Sequence, residues 1–207
     1  MSEPFATVVR VRSTQEYDWS LTEIPTARAA VRSQLEFSWF ELRARLATVT
    51  QDEFAWEPAP GAFSVRLRAQ STAPRTFGVG DWVVEWPGGS DEPGPRTIAW
   101  LVAHLTEVVT ERYDWTFGEH RLHRPDLTYW GEVGPAVGAL TAVVDAWRSG
   151  IADMSDDDIF AIGFSQATPI DAQAPFAQLV LHVNRELIHH GSEIFTLTDL
   201  YRAGFHG

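Results

Sequence analysis

Four segments of the chain repeat their apolar residues every three or four positions, which is the spacing of one face of an α-helix. These segments cover residues 27–48, 96–117, 134–151 and 175–201. Four amphipathic helices of similar length predict an all-α protein in which the helices pack as a four-helix bundle. We expect a single domain over residues 1–207, with about 25 N-terminal and about 5 C-terminal residues peripheral to the bundle.

The connection between the first two predicted helices, residues 49–95, is long and rich in Trp, Pro and Gly. A connection of this length is uncommon inside a compact domain, so we expect it to wrap the outside of the bundle and to carry short strands or turns. Residues 81–86 alternate well enough in polarity to predict one short strand.

Two short helices are predicted just after long ones. Thr50 with Glu53, and Ser155 with Asp158, have the spacing of a helix capping box. Each pair follows the end of a long predicted helix, so the chain contains two helix pairs of similar design.

The composition narrows the classes of function. The 207 residues include no Cys, which excludes disulfides, thiolate metal ligands and a cysteine nucleophile. All 16 basic residues are Arg, so a Schiff-base lysine and a P-loop lysine are excluded as well. A net charge of −12 opposes binding to a nucleic-acid backbone. No apolar run approaches the length of a membrane span and the start MSEPFATVVR is not a signal peptide, so we expect a cytoplasmic protein. Because neither nucleic acid nor a membrane is an expected partner, we expect it to act on a small molecule.

The last predicted helix carries most of the candidate chemistry, in LHVNRELIHHGSE over residues 181–193. At roughly 100° per residue, His190 lies about 20° from the centre of the apolar face and Glu186 about 60° from it. Their i, i+4 spacing turns both side chains inward on the same side of the helix. A carboxylate and an imidazole in apolar surroundings have to be satisfied, either by a divalent metal or by a hydrogen bond between helices. The spacing leaves both interpretations open.

The second predicted helix offers a third candidate ligand. His104, in TIAWLVAHLTEVV, lies roughly 90° from the centre of its apolar face, where a bundle helix faces its neighbour. His182 continues the row of Glu186 and His190 by one more turn, which makes it the main competitor for a ligand position. We expect three further residues to surround the ligands and support them: His182, His189 and Glu193.

Three stretches resemble the DinB/YfiT-like superfamily. They are TQDEFAWEPAPGAFSVR (50–66), TIAWLVAHL (97–105) and LVLHVNRELIHHGSEIFTLTDLYRA (179–203), within a likeness that extends over about residues 27–202. The resemblance implies a four-helix bundle with an unusual connection order and a divalent metal held by His104, Glu186 and His190. The Glu-x-x-x-His pair is similar to that of the mycothiol-dependent maleylpyruvate isomerases and related thiol transferases.

A His, Glu, His ligand set leaves one coordination position open, as in catalytic zinc sites. We expect Zn²⁺, with Ni²⁺, Fe²⁺ and Mn²⁺ as alternatives, because imidazole and carboxylate suit all four ions. Such a centre deprotonates a bound thiol. Without Cys in the chain, that thiol has to be a small cosubstrate such as mycothiol or bacillithiol, which predicts a metal-dependent thiol S-transferase.

Other classes of function remain open. One is a metal-dependent hydrolase with Glu193 or His189 as its general base. Another is a noncatalytic protein in which the metal only staples the bundle. A third is a small-ligand-binding module with an apolar pocket lined by tryptophans, the candidates being Trp56, Trp82, Trp86 and Trp100.

The resemblance also predicts that the chain pairs into a two-fold homodimer, since exposed Trp side chains in an acidic bundle provide apolar contact area. Light scattering at micromolar concentration checks this expectation. The mass of a monomer would contradict it.

Overall fold

The computed structural model describes residues 26–88 and 94–205. Its elements are α1 (Ala27–Leu46), α2 (Gln51–Ala55), β1 (Val65–Leu67), β2 (Arg75–Phe77), β3 (Trp82–Trp86), α3 (Ile98–Phe117), α4 (Val133–Ala152), α5 (Asp156–Phe160) and α6 (Phe176–Arg202). The predicted peripheral N-terminal segment and residues 206–207 lie outside the described part of the chain. Among the described helices, none combines the length and the apolar character that crossing a bilayer requires.

The four long helices surround one apolar core. α3 packs against α4 and α6, and α1 packs against the same two helices, so each long helix contacts two others. Their apolar faces meet in large buried side chains, among them Trp39, Leu101, Leu140, Trp147 and Phe176. The apolar periodicity therefore predicts all four helices, and each of their ends lies within two residues of the predicted one.

Both predicted capping boxes form. The Thr50 side chain accepts a hydrogen bond from the Glu53 N–H, and the Glu53 carboxylate accepts one from the Thr50 N–H. Ser155 and Asp158 make the same reciprocal pair. The short helices α2 and α5 are thereby confirmed, each just after a long helix.

The 49–95 connection contains a three-stranded antiparallel sheet with strand order β1-β3-β2. The predicted strand over residues 81–86 is confirmed as β3. β1 and β2 have three residues each, which is too short for an alternating pattern to be recognised. The all-α expectation is corrected accordingly: the protein is mostly helical, with one small sheet.

Hydrogen bonds fix the sheet against the first turn of α3. The indole Nε1 of Trp100 donates to the Glu85 carbonyl oxygen at 2.7 Å. The Ser64 and Thr97 hydroxyl oxygens lie 2.9 Å apart, also hydrogen-bonded. The Glu85 side chain is buried and accepts a hydrogen bond from Arg66 Nε at 3.0 Å. The long connection is thus anchored where α3 begins.

An ion pair closes the C-terminal end of α6 onto α2. Arg202 Nε donates to Glu53 Oε1 at 2.5 Å, and Arg202 Nη2 donates to Glu53 Oε2 at 3.3 Å. Only 3% of Glu53 is exposed. The hydrogen bond from Arg202 lowers the pKa of Glu53, so its ionised form stabilises the fold.

Replacing Arg202 with Met leaves the buried Glu53 carboxylate without its charged partner. We expect the free energy of unfolding at pH 7 to fall by about 1–3 kcal/mol, measured by urea denaturation. Because the folded-state pKa of Glu53 is depressed, the stabilisation is complete above the ordinary Glu pKa of about 4.3 and is lost as the pH falls below it. The two proteins should therefore converge in stability in acid.

Asp199→Asn is the matched control on the same helix. Asp199 Oδ1 lies 2.6 Å from Arg45 Nη1, but 64% of its side chain is exposed. Exposed ion pairs contribute less than about 1 kcal/mol, so this variant should lose little stability. Equal losses in the two variants would contradict the role assigned to the Arg202–Glu53 pair.

Candidate metal centre

Three side chains from two helices meet between α3 and α6. His104 lies in the second turn of α3, and Glu186 and His190 lie in the middle of α6. Glu186 Oε2 is 3.3 Å from His190 Nε2 and 3.7 Å from His104 Nε2. One donor atom from each residue lies within 4.8 Å of the other two, a spacing at which all three can hold one metal ion. The structure therefore brings together the three residues predicted as ligands.

The start of α3 determines where His104 lies. The Thr97 hydroxyl caps the helix by accepting a hydrogen bond from the Trp100 N–H at 3.1 Å. The Trp100 indole is held by its hydrogen bond to Glu85. One turn after Trp100, the imidazole of His104 stacks on that indole, with ring centroids 4.9 Å apart and planes 23° apart.

Aromatic rings line the cluster formed by His104, Glu186 and His190. Besides Trp100, the indole of Trp86 lies 5.6 Å from the His104 ring, and the two imidazoles meet edge to face at 4.8 Å. Only 14% of the His104 side chain, 12% of that of Glu186 and 6% of that of His190 is exposed. Electrostatic interactions in such partly desolvated surroundings are stronger than in water.

Two of the four tryptophans considered for an apolar pocket, Trp86 and Trp100, therefore flank the cluster. Trp56 packs instead against Tyr201, with ring centroids 5.7 Å apart. The Trp82 ring lies against Gly131 so closely that a Cβ added to this glycine would come within 2.2 Å of it. The four rings thus do not form a common pocket.

Glu186 carries the negative charge of the cluster. The imidazoles of His104 and His190, whose Nε2 atoms face its carboxylate, hold the pKa of Glu186 well below its usual range. Burial lowers the pKa of His104, so this imidazole is neutral near pH 7. Burial also acts to lower the pKa of His190, but the adjacent carboxylates of Glu186 and Glu193 outweigh burial and raise that pKa.

The donor chemistry fits a divalent cation. Both imidazoles direct Nε2 toward Glu186, and the Nδ1 atoms of both are buried without a hydrogen-bond partner. Two imidazole nitrogens and one carboxylate are ligands for Zn²⁺ and similar ions. A cation also offsets the cost of burying the carboxylate.

The residues expected to support the ligands do contact them. Glu193 Oε1 lies 3.3 Å from His190 Nδ1, the nitrogen turned away from Glu186, and 3.2 Å from His189 Nε2. On the more exposed side of Glu186, His182 Nδ1 lies 3.6 Å from Oε1. His182 Nδ1 is also 2.7 Å from Arg185 Nη2, which donates to Glu186 Oε1 at 3.0 Å.

A second group of donors, from His189, His190 and Glu193, also lies within 4.8 Å. Its surroundings oppose a cation, because Arg96 Nη2 donates to Glu193 Oε1 at 3.3 Å. In addition, 62% of the His189 side chain is exposed. The cluster around Glu186 is therefore the better cation site.

A cavity of about 380 Å³ lies beside Glu193. Arg96, His189, Ser192 and Thr196 contribute to its polar lining. None of the three predicted ligands is among the described residues that line it. It therefore adjoins the Glu193 side of His190 and not the point where the three ligand atoms meet.

The sequence pattern does not reveal Glu107, which the structure places directly behind His104. Glu107 Oε1 lies 3.8 Å from His104 Nδ1, and burial raises the pKa of Glu107 to about 7. Arg124 Nη2 is 2.5 Å from the same oxygen, and the Tyr129 hydroxyl donates to Oε2 at 3.4 Å. The i, i+3 spacing of His104 and Glu107 was the available signal, whereas Arg124 and Tyr129 come from a loop that periodicity does not place.

A family model described as the DinB superfamily matches residues 34–194 of the chain. The matched range contains the sheet, the cluster around Glu186 and most of the length of the four long helices. No curated protein and no solved structure matches the chain.

Substitutions at the cluster test which residues bind a metal. We expect His190→Ala to weaken Zn²⁺ binding more than about 100-fold, since losing a ligand should cost more than losing a partner of a ligand. Glu186→Gln should also weaken binding strongly, because it removes the only ligand charge. His182→Ala should change the affinity little, because His182 lies outside the three-atom cluster.

Competition with a chromophoric chelator measures these affinities, and far-UV circular dichroism checks that each variant is folded. If His182→Ala loses the metal while Glu186→Gln keeps it, the ligands on α6 lie one helical turn before the predicted ones.

Proposed function

The chain belongs to the DinB superfamily, and on this premise we propose that it is a divalent-metal-dependent enzyme that transfers a small thiol to an electrophilic small molecule. One observation carries the proposal: His104, Glu186 and His190 bring three donor atoms within 4.8 Å of one another. These three residues would hold the ion. The scaffold is the ring of four long helices, whose contacts suit a four-helix bundle.

The ion's role follows from its three protein ligands. A divalent cation with an open position supplies a Lewis-acidic site that favours a thiolate over a thiol at neutral pH. We propose Zn²⁺ as the ion, with Ni²⁺, Fe²⁺ and Mn²⁺ as alternatives, because all four bind imidazole and carboxylate ligands. Because the chain has no Cys, the thiol has to be a cosubstrate of the mycothiol or bacillithiol kind.

The surrounding residues support nucleophilic transfer. Trp86 and Trp100 cover the His104 side of the cluster and limit hydration of a thiolate there. Burial lowers the pKa of His182, so this imidazole is neutral near pH 7, and we assign it as the acceptor of the thiol proton because its ring lies beside Glu186. The sulfur lone pair then forms a C–S bond with the electrophilic carbon, and the leaving group departs with the electron pair of the broken bond.

The contacts of Glu193 favour thiol transfer over hydrolysis. A hydrolase needs a base beside the water that attacks the substrate. Glu193 instead faces His190 Nδ1, on the side away from Glu186, and is paired with Arg96. His189 is engaged with the same Glu193 oxygen. Neither residue proposed as a hydrolytic base is directed at the three-atom cluster.

The proposal is tested on protein purified without a chelating tag. We expect elemental analysis to find close to one divalent ion per chain. Metal-loaded protein should accelerate conjugation of mycothiol or bacillithiol to monochlorobimane. The acceleration should disappear after EDTA treatment and return when the ion is restored. His190→Ala serves as the matched inactive control.

Each other outcome overturns a different part of the proposal. A bound ion with chelator-sensitive hydrolysis of 4-nitrophenyl acetate, but no thiol conjugation, would establish the hydrolase alternative. A bound ion without either activity would indicate a structural metal site that only stabilises the fold. Failure to bind any of the four ions would leave a small-ligand-binding module.

A further inference from the structure

Glu107 is the most deeply buried acidic side chain among residues 26–88 and 94–205, with 0% of the residue exposed. The other buried carboxylates have structural tasks. Glu36 pairs with Arg148 between α1 and α4, and Glu53 belongs to a capping box. Glu85 holds the sheet, and Asp114 accepts hydrogen bonds from backbone N–H groups of the loop after α3. Glu107 lies instead in the middle of α3, one turn after His104.

Two unsatisfied polar atoms face each other at this point. His104 Nδ1 and Glu107 Oε1 are both buried and both lack a hydrogen-bond partner. They lie 3.8 Å apart. Arg124 Nη2 contacts Oε1 at 2.5 Å as an ion pair, but without the alignment of a hydrogen bond. A shift of about half an ångström would bring Nδ1 and Oε1 within hydrogen-bond distance.

We infer that Glu107 is a positioning residue that accepts the Nδ1 proton of His104 and so leaves Nε2 unprotonated toward Glu186. The inference rests on the proposed metal site, because only a ligand nitrogen needs a free lone pair there. A neutral imidazole carries one N–H, and the partner of that N–H selects the tautomer. Glu107 and Glu186 therefore compete for a single proton.

The existing contacts of the two carboxylates favour Glu107 as the acceptor. Glu186 already receives a hydrogen bond from Arg185 and lies 3.3 Å from His190 Nε2. Glu107 Oε1 receives no hydrogen bond. A buried donor or acceptor left unpaired is destabilising, so the Nδ1–H tautomer satisfies more groups. His104 is then oriented as a ligand before any ion binds.

The loop after α3 holds this carboxylate in place. Arg124 contacts Oε1 and Tyr129 donates to Oε2, so both oxygens are restrained from outside the helix. Arg124 also lies over the Trp86 ring, 4.0 Å from its centroid. The sheet and the loop thus act together on Glu107, and through it on His104.

The tautomer of His104 tests the inference without any activity measurement. Protein labelled with ¹⁵N-histidine is compared by long-range ¹H–¹⁵N NMR, metal-free and with Zn²⁺, and a His104→Gln spectrum identifies the His104 signals. We expect a protonated Nδ1 and an unprotonated Nε2 in the native chain. In Glu107→Leu the proton should move to Nε2, and the Zn²⁺ affinity should fall by about 10–100-fold.

Two further variants separate positioning from folding. Glu107→Gln keeps an oxygen acceptor and the size of the side chain, so its tautomer shift and affinity loss should be smaller than those of Glu107→Leu. Glu119→Gln is the control, because it removes the same charge from a side chain that is 71% exposed and pairs with Arg121 at 2.9 Å. It should leave both the tautomer and the affinity unchanged.

The native tautomer and affinity in both Glu107 variants would overturn the inference. If Glu107→Leu does not fold, an unchanged tautomer and affinity in Glu107→Gln would overturn it as well. If the native chain binds no Zn²⁺, the proposed function fails, and the metal-free tautomers of the native chain and Glu107→Gln still decide the role of Glu107.

Discussion

Glu186 is nearly buried, and ionised carboxylates are costly to remove from water, so every group around it has to offset that cost. Two imidazoles approach the same oxygen, and Arg185 donates to the other. This requirement determines the arrangement of the neighbouring elements. α6 has to turn His190 inward with Glu186, and α3 has to begin where His104 reaches them. The sheet then holds α3 at that starting point through Trp100.

Arginine is the usual counter-charge for buried acids in this chain, which has no Lys. Arg148 pairs with Glu36, Arg202 with Glu53, Arg66 with Glu85 and Arg124 with Glu107. The planar guanidinium can contact two groups at once, as in Arg66, which bridges Glu57 and Glu85. Breaking such a pair leaves one charge buried without a partner, which destabilises the fold. Glu186 is different, because imidazoles take a large part of that role.

Helix periodicity predicts the long helices and the inward direction of Glu186 and His190, because both depend on local geometry, whereas the family resemblance adds His104 to them. Glu186 and His190 lie on the same helix, so the 3.6-residue period alone fixes their relative direction. Glu107 is one turn from His104, but periodicity does not show which polar residue of a buried helix has a partner. Arg124 depends on the path of its loop. That path follows from Asp114 Oδ2, which accepts the N–H of Arg121 at 2.7 Å, a contact between positions with no shared period.

The stacking of Trp100 on His104, with Trp86 beside it, gives the cluster an optical property. Indoles emit near-ultraviolet light, and both lie within 6 Å of an imidazole that faces Glu186. An open-shell ion beside His104 would quench these two emitters far more strongly than a closed-shell ion of equal charge. An ion bound as proposed would therefore change the intrinsic fluorescence of the chain, and the two rings would report its electronic configuration.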